Sequence, residues 1–245
     1  LLKKDDAFMN KGLIGSLKIQ FSDILIIGAG GHARVLTDLF DSISNSEGGS
    51  DCLCGNLKIR GYIDNDENLW GASFLGKPVL GGDEYLMNSD PEEVVLVNAI
   101  GSVSSLKVRR NVHDRFSAMG FSYQTLIHPF SWVSPSAVVE EGCQIMAGAI
   151  VQTGARIGSG TIVNTKASVD HDCKIGKCCH LAPGTTLSGN VTLGDGVHIG
   201  TGATVIQGIK IGSRAVIGAG AVVVSDIPDD TLAMGVPARV VRKLC

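Results

Sequence analysis

Every sixth residue between Val133 and Val223 is aliphatic, and a stride of six leaves the second half of the chain few folds to choose from. The series opens Val133, Val139, Ile145, Val151 and Ile157 and closes Val205, Ile211, Ile217 and Val223 without a break. Four residues beyond each marker stands a small or β-branched residue, as at Ala137, Cys143, Ala149 and Thr161. A helix repeats at 3.6 residues and a strand at 2, whereas a hexapeptide parallel β-helix repeats at six. Each hexad forms one flat side of a triangular prism, and three hexads, about 18 residues, close a coil. Gly142, Gly148, Gly154, Gly160, Gly196 and Gly202 fall where sharp corners demand backbone freedom, which accounts for much of the count of 32 glycines. Sixteen markers give about five coils, enough to build a core by stacking.

The first half reads differently. Residues 23–27, Asp-Ile-Leu-Ile-Ile, have the look of a buried strand, followed by Gly28-Ala29-Gly30-Gly31-His32-Ala33 and a helical pattern to about Ile43. A Gly-rich turn opening a helix offers free N–H groups and the positive helix end to a phosphate. Further strands are expected at 58–63, 94–99 and 122–127 and a helix at about 103–119, which together make one mononucleotide-sized Rossmann-like α/β unit. The length before the repeat is too short for a full dinucleotide fold. Asp64 and Asn65 follow the second strand, where an acidic side chain can meet a ribose hydroxyl or base edge, and Gly101-Ser102 follow the next buried strand on the same rim. The plainer alternative is that Gly30 and Gly31 allow tight packing and Asp64 caps a turn.

A formal net charge of −3 supplies no global field to gather nucleic acid or an anionic membrane, so a phosphate-bearing ligand has to be held locally. No apolar run approaches the roughly 18 residues that span a bilayer, and residues 1–22 lack the apolar core and cleavage site of a secretory signal. A cytoplasmic location is expected, with 1–22 as a leader or disordered extension in which Met9 is a possible internal start. The seven cysteines are odd in number and lie mostly in the repeat, as befits reduced thiols. Cys52-x-Cys54 lacks further ligands nearby, and no metal site is expected.

Polar residues that interrupt the prism's regular surface are the places where chemistry is expected: Asn164, Asp170-His171-Asp172, His180 and His198. His171 stands third in its hexad, an outward corner, so the core does not need it. An imidazole with a pKa near 6.5 can take the proton of an amine or hydroxyl attacking a thioester, the alternative being an ordinary solvated histidine. Because 189 − 171 = 18, Gly189 lies one coil on and stacks beside His171 at about 4.8 Å, with no side chain to block a substrate. Because 180 − 171 = 9, half a coil, those two histidines lie on different sides of one prism, and a site using both must draw His180 from a neighbouring chain. His198 stacks one coil beyond His180. Asn164, before the histidine hexad, is placed to bond a sugar or His171, or simply to accept unusual corner angles. Cys173 and Cys179 point inward, where a thiol is a small apolar group and a poor nucleophile.

Gly28 to Ala33, Gly76-Lys77-Pro78-Val79-Leu80-Gly81-Gly82, His128-Pro129, Asn164-Thr165, His171-Asp172-Cys173, Ile175-Gly176, His180 and Gly235-Val236-Pro237-Ala238-Arg239 together resemble the sialic acid O-acetyltransferase and nucleotide-amino-sugar N-acetyltransferase family of hexapeptide-repeat acyltransferases, over residues 23–243. The resemblance implies a left-handed coil, an exception to the right-handed rule for parallel crossovers. It also implies homotrimers with active sites in the clefts between prisms. The general base would be His171, oriented by Asp172 where some relatives carry Glu, with Asp170 in reserve. The Gly189 N–H would receive the developing oxyanion, and His180 would meet the CoA thioester. His198, Gly218, Pro237 and Arg239 are read as further CoA contacts, a basic C-terminal cap of Arg239, Arg242 and Lys243 being the other reading.

On this resemblance, residues 23–127 form an α/β nucleotide-sugar-binding domain and 128–245 a left-handed β-helix acyltransferase domain with a C-terminal cap. Substrate contacts are expected from Gly28, Gly30, Gly31, His32, Asp64, Asn65, Gly101, Ser102 and Asn164. The expected reaction moves an acetyl group directly from acetyl-CoA to the nitrogen of a UDP- or GDP-linked amino sugar. O-acetylation of sialic acid and a non-catalytic prism scaffold are the alternatives, and titration with nucleotide sugars beside acetyl-CoA separates the three.

Overall fold

The computed structural model describes residues 23–45, 57–101 and 106–244. The leader 1–22, Cys52 and Cys54 with most of the 44–57 insertion, and Ser102 lie outside the described residues.

In chain order the front domain runs β1 (Asp23–Ile27), α1 (Gly31–Ser44), β2 (Lys58–Ile63), β3 (Ser73–Phe74), β4 (Lys77–Gly81), α2 (Asp83–Met87), β5 (Val94–Asn98) and α3 (Leu106–Ala118). Its sheet has the order β3-β4-β2-β1-β5, parallel except for β3. Apolar runs in β1 and β5 suit strands covered on both faces. Leu36, Leu39 and Phe40 of α1 pack on one face, and Leu86 and Phe116 of α2 and α3 on the other. The Gly76 to Gly82 motif supplies β4, which pairs with both β2 and the edge strand β3 and which period alone did not announce.

The segment 122–127, expected as a further strand of this sheet, divides instead. Tyr123 makes a single bridge to Leu96 of β5, whereas Leu126–Ile127 (β6) joins the prism by pairing with Gln144–Ile145 (β9). The 18-residue register reaches back to Leu126, whose side chain is buried in the core beneath α1, so the coil begins two residues before 128.

Beyond it, sixteen two-residue strands, β7 (Trp132–Val133) to β22 (Val222–Val223), carry the hexad markers as their second residues. Each pairs in parallel with the strand 18 residues away, as Ile150 with Ser168, giving the three sheets of a left-handed parallel β-helix. The markers and the small residues four positions on form one continuous axial core. Backbone φ is positive at every sixth residue from Gly142 to Gly220, and Lys166, Asp172, Cys178, Asn190 and Arg214 take that conformation without being glycine, at φ between 50 and 59°. Asn164 is not among them: the left-handed corner falls two residues later, on Lys166, so corner geometry does not explain Asn164. A ribbon of β23 (Thr231–Gly235) and β24 (Ala238–Lys243) pairs with β21 (Val216–Ile217) and closes the far end.

The two domains share a core, because Met146 and Ile162 on the outside of the prism pack into the α1 cluster. Among the described residues no helix is long and apolar enough to cross a membrane.

Candidate functional site

After Val169, at the end of β13 (Ser168–Val169), the chain turns a corner through Asp170, His171 and Asp172. The left-handed conformation of Asp172 (φ 59°) carries its carboxylate beside the ring, so that Oδ2 lies 2.9 Å from His171 Nδ1. Asp170 grips the same residue from the other end, its Oδ1 accepting the His171 backbone N–H at 2.7 Å. A carboxylate only accepts, so Nδ1 carries the proton of the neutral ring and Nε2 presents a lone pair. The bond from Asp172 raises the imidazole pKa above its ordinary value, and the nearby charge of Asp170 adds to it. Both side chains stand in the open, 56% exposed for His171 and 67% for Asp172.

Gly189 lies under this ring as the coil count requires. The Asn190 N–H donates to the His171 carbonyl at 2.8 Å, and a Cβ built on Gly189 would fall 2.5 Å from Nε2 and 2.6 Å from Cε1. The position of Gly189 recurs every six residues, and its N–H is used differently from coil to coil. At the same corner position the N–H groups of Ser159, His171, Lys177 and Ser213 are each taken by a carboxylate oxygen, from Glu140, Asp170, Asp195 and Asp229. The Gly189 N–H, like those of Thr153, Thr201 and Gln207, makes no hydrogen bond among the described residues. The corner attracts anionic oxygen, and here it is left open beside a base.

Cys173 and Cys179 are buried in the axial core. Burial raises the thiol pKa of both, that of Cys179 to about 12, so neither supplies a thiolate near neutrality.

A second constellation lies where the prism faces the front domain. An 18-residue stride stacks Leu126, Gln144, Ile162, His180 and His198 in one outward column of a single sheet, on β6, β9, β12 (Ile162–Val163), β15 (His180–Leu181) and β18 (His198–Ile199). A cleft of about 420 Å³ there is lined by Gly31, His32 and Gly101 from the front and by Asn164, His180 and His198 from the prism, among others. Asn164 bonds His180, Nδ2 to Nε2 at 3.0 Å, not His171, and its Oδ1 accepts the Thr165 N–H. His32 Nε2 lies 2.8 Å from Gln144 Oε1. Burial lowers the pKa of His32 to about 4 and of His180 to about 3, the charge of Arg109 adding to both, and burial alone lowers that of His198, so all three are neutral at pH 7. The structure thus puts His180 on one sheet, in company with His32, Asn164 and His198, and His171 at the corner between the other two.

The front edge of this cleft is the switch point of the sheet, where connections leave adjacent strands β1 and β5 in opposite directions and ligands of open α/β sheets are received. Gly28 has φ +105°, and a Cβ there would meet the Ala99 carbonyl oxygen at 3.2 Å, so glycine is required. Gly30 caps α1 without a side-chain bond, leaving the helix end open toward Gly31 and His32. Asp64 accepts the backbone N–H groups of Ala29, at 2.8 Å, and Asp66, at 3.0 Å, which braces the turn. Asn65 likewise accepts the Asp83 N–H at the start of α2. Gly218, Pro237 and Arg239 lie at the capped end of the prism, Gly218 against Met234 and the other two exposed on the ribbon.

Two members of the seam had not been singled out from sequence. Gln144 belongs to the column of His180, and the 18-residue stride could have found it. Arg109 is 1% exposed and donates to the carbonyls of Asn98, Ile100 and Gly160, binding β5 to the prism with no carboxylate partner among the described residues.

A bare histidine–carboxylate pair on a hexapeptide coil, with a ligand-sized cleft beneath a Rossmann-like unit, defines a transferase of the hexapeptide-repeat class. Residues 23–116 match the PglD N-terminal domain and residues 190–225 the bacterial transferase hexapeptide (six repeats). The chain is 38% identical to the acetyltransferase domain of PglB from Neisseria gonorrhoeae, with a TM-score of 0.78 over 90% of this chain and 100% of that one. It is also 38% identical to PerB from Caulobacter crescentus, solved with CoA and GDP-perosamine, with a TM-score of 0.77 over 89% of this chain and 96% of that one. WeeI from Acinetobacter baumannii, 24% identical with a TM-score of 0.72, shares the fold. The chain belongs to the nucleotide-amino-sugar N-acetyltransferase family of hexapeptide-repeat acyltransferases.

Proposed function

We propose that this protein transfers the acetyl group of acetyl-CoA to the amino nitrogen of a sugar carried on a UDP or GDP handle. His171 Nε2 takes a proton from the attacking amine while Asp172 steadies the ring and the imidazolium that forms. The amine nitrogen bonds to the thioester carbonyl carbon, the C–S bond breaks, and the departing thiolate receives the proton from His171. Amide and free CoA leave with atoms and charge balanced, and no residue of the chain is acylated. The observation that carries the reading is the unpaired Gly189 N–H under the His171 ring, a ready donor for the carbonyl oxygen as it gains charge. Gly189 has no side chain, so a thioester can approach Nε2 without obstruction.

The cleft at the switch point supports binding of the nucleotide sugar through Gly31, His32, Gly101 and Asn164. His180 lies on one sheet of the prism and His171 at the corner between the other two, so a site that uses both is completed by a neighbouring copy, and we propose a homotrimer with three such sites. Arg239, Pro237, Gly218 and His198 are proposed to line the path of the CoA arm. Reduced cysteines buried in the prism suit a reducing compartment such as the cytoplasm.

The test is a panel of UDP- and GDP-linked amino sugars, with free sialic acid beside them, assayed for CoA release. Turnover confined to nucleotide-linked amines is expected. Turnover of sialic acid alone, or of nothing in the panel, would overturn the proposal.

A further inference from the structure

Asn98 ends β5 with a carbonyl that accepts two donors. Arg109 Nη1 reaches it at 2.7 Å and Gln144 Nε2 at 2.7 Å. A carbonyl cannot donate, so the Gln144 amide is fixed with its nitrogen toward Asn98 and its oxygen turned away. That oxygen stands 2.8 Å from His32 Nε2, and it too can only accept, so His32 carries its proton on Nε2. The lone pair is left on Nδ1, which makes no hydrogen bond among the described residues, on a ring that lines the cleft. Gln144 is 1% exposed, so water does not compete for its amide.

We infer that Gln144, anchored by the Asn98 carbonyl and buried Arg109, is a positioning residue that holds His32 as its Nε2–H tautomer and makes Nδ1 a fixed acceptor for a hydroxyl or amino group of the bound nucleotide sugar. The inference rests on the reading of the cleft as the sugar site. Burial disfavours an imidazolium at His32 most, the charge of Arg109 from α3 disfavours it further, and the bond to Gln144 opposes them without prevailing; His180 from β15 and His198 from β18 line the same cleft and are themselves held neutral by burial. The ring therefore stays neutral through the physiological range. A phosphate or carboxylate oxygen brought to Nδ1 meets a lone pair and is turned away, whereas a donor is accepted, so the network selects by hydrogen-bond polarity.

The protein has six histidines, few enough for long-range proton–nitrogen spectra of protein with labelled histidine to resolve each ring. The His32 signal is the one lost in His32→Asn. In the free wild-type protein it is expected to show the neutral Nε2–H pattern from pH 8 to pH 5. Gln144→Glu replaces the donor to Asn98 with an acceptor and brings a negative charge to the ring, so His32 should begin to titrate in that range. The KM for the nucleotide amino sugar should then rise about tenfold below the new midpoint, with kcat changed less than about twofold. Gln144→Met should raise KM by about tenfold at every pH. An Nδ1–H tautomer, a His32 titrating near its ordinary value in the wild type, or unchanged KM in both folded variants would overturn the inference while leaving the acetyl-transfer reading intact. The expected tautomer without turnover of any nucleotide amino sugar would instead remove the functional reading, and the acceptor role with it.

Discussion

Gly189→Ala tests the contact on which the proposed chemistry turns, and its size can be worked from the geometry. The new Cβ would stand 2.5 Å from His171 Nε2, against 3.4 Å for ordinary van der Waals contact, so the ring must withdraw by 3.4 − 2.5 = 0.9 Å. A base misplaced by about 1 Å costs on the order of 100-fold in rate, or about 2.7 kcal/mol of transition-state stabilisation. The fold should hardly notice. Gly189 is not one of the left-handed glycines, so alanine fits its backbone, and the exposed ring is free to swing. A stability change within about 0.5 kcal/mol is expected. The assay is steady-state CoA release at saturating substrates, beside thermal unfolding of the same preparation. A kcat within about threefold of wild type would refute the reasoning, as would a large fall in unfolding temperature, which would mean that Gly189 serves the coil and not the site.

Other consequences are as direct. In Asp172→Asn the largest cause of the raised His171 pKa is gone. The base works when neutral, so kcat/KM climbs as pH passes that pKa, and the midpoint should move to more acid pH with a plateau about tenfold or more lower. Asparagine tolerates the left-handed backbone at 172, so the variant should fold. Arg109→Met removes the donor from the carbonyls of Asn98, Ile100 and Gly160 and should cost about 3 kcal/mol, read as a fall of roughly 6–12 °C in Tm. Lys166→Gly relieves a non-glycine corner at φ 57° and should leave activity unchanged while adding about 0.5–1 kcal/mol of stability by denaturant titration.

The prism was legible because its stride is its structure: all sixteen markers became the inward residues of two-residue strands. The stacking of Gly189 on His171 and of His198 on His180 followed from the same subtraction. Even the reach of Asp172 was implicit, since 172 lies two hexads beyond Gly160 and therefore on the left-handed corner that brings its carboxylate to the ring. The seam between the domains was not legible. Gln144 looks like a solvated rung residue until α1 is laid over it, and Arg109 beside Arg110 reads as a charged helix face, although only Arg109 is sealed in. Leu126 was assigned to the wrong sheet for a related reason. Its neighbours before and after suit either partner, and burial against α1 decides between them.

His171→Ala is the most direct measurement, with kcat from CoA release and acetyl-CoA affinity from calorimetry on the same protein. A loss of about 1,000-fold or more in kcat with the dissociation constant held within about threefold is the outcome expected if this imidazole moves the proton. Turnover that survives within about tenfold, or affinity that collapses while the rate persists, would contradict it.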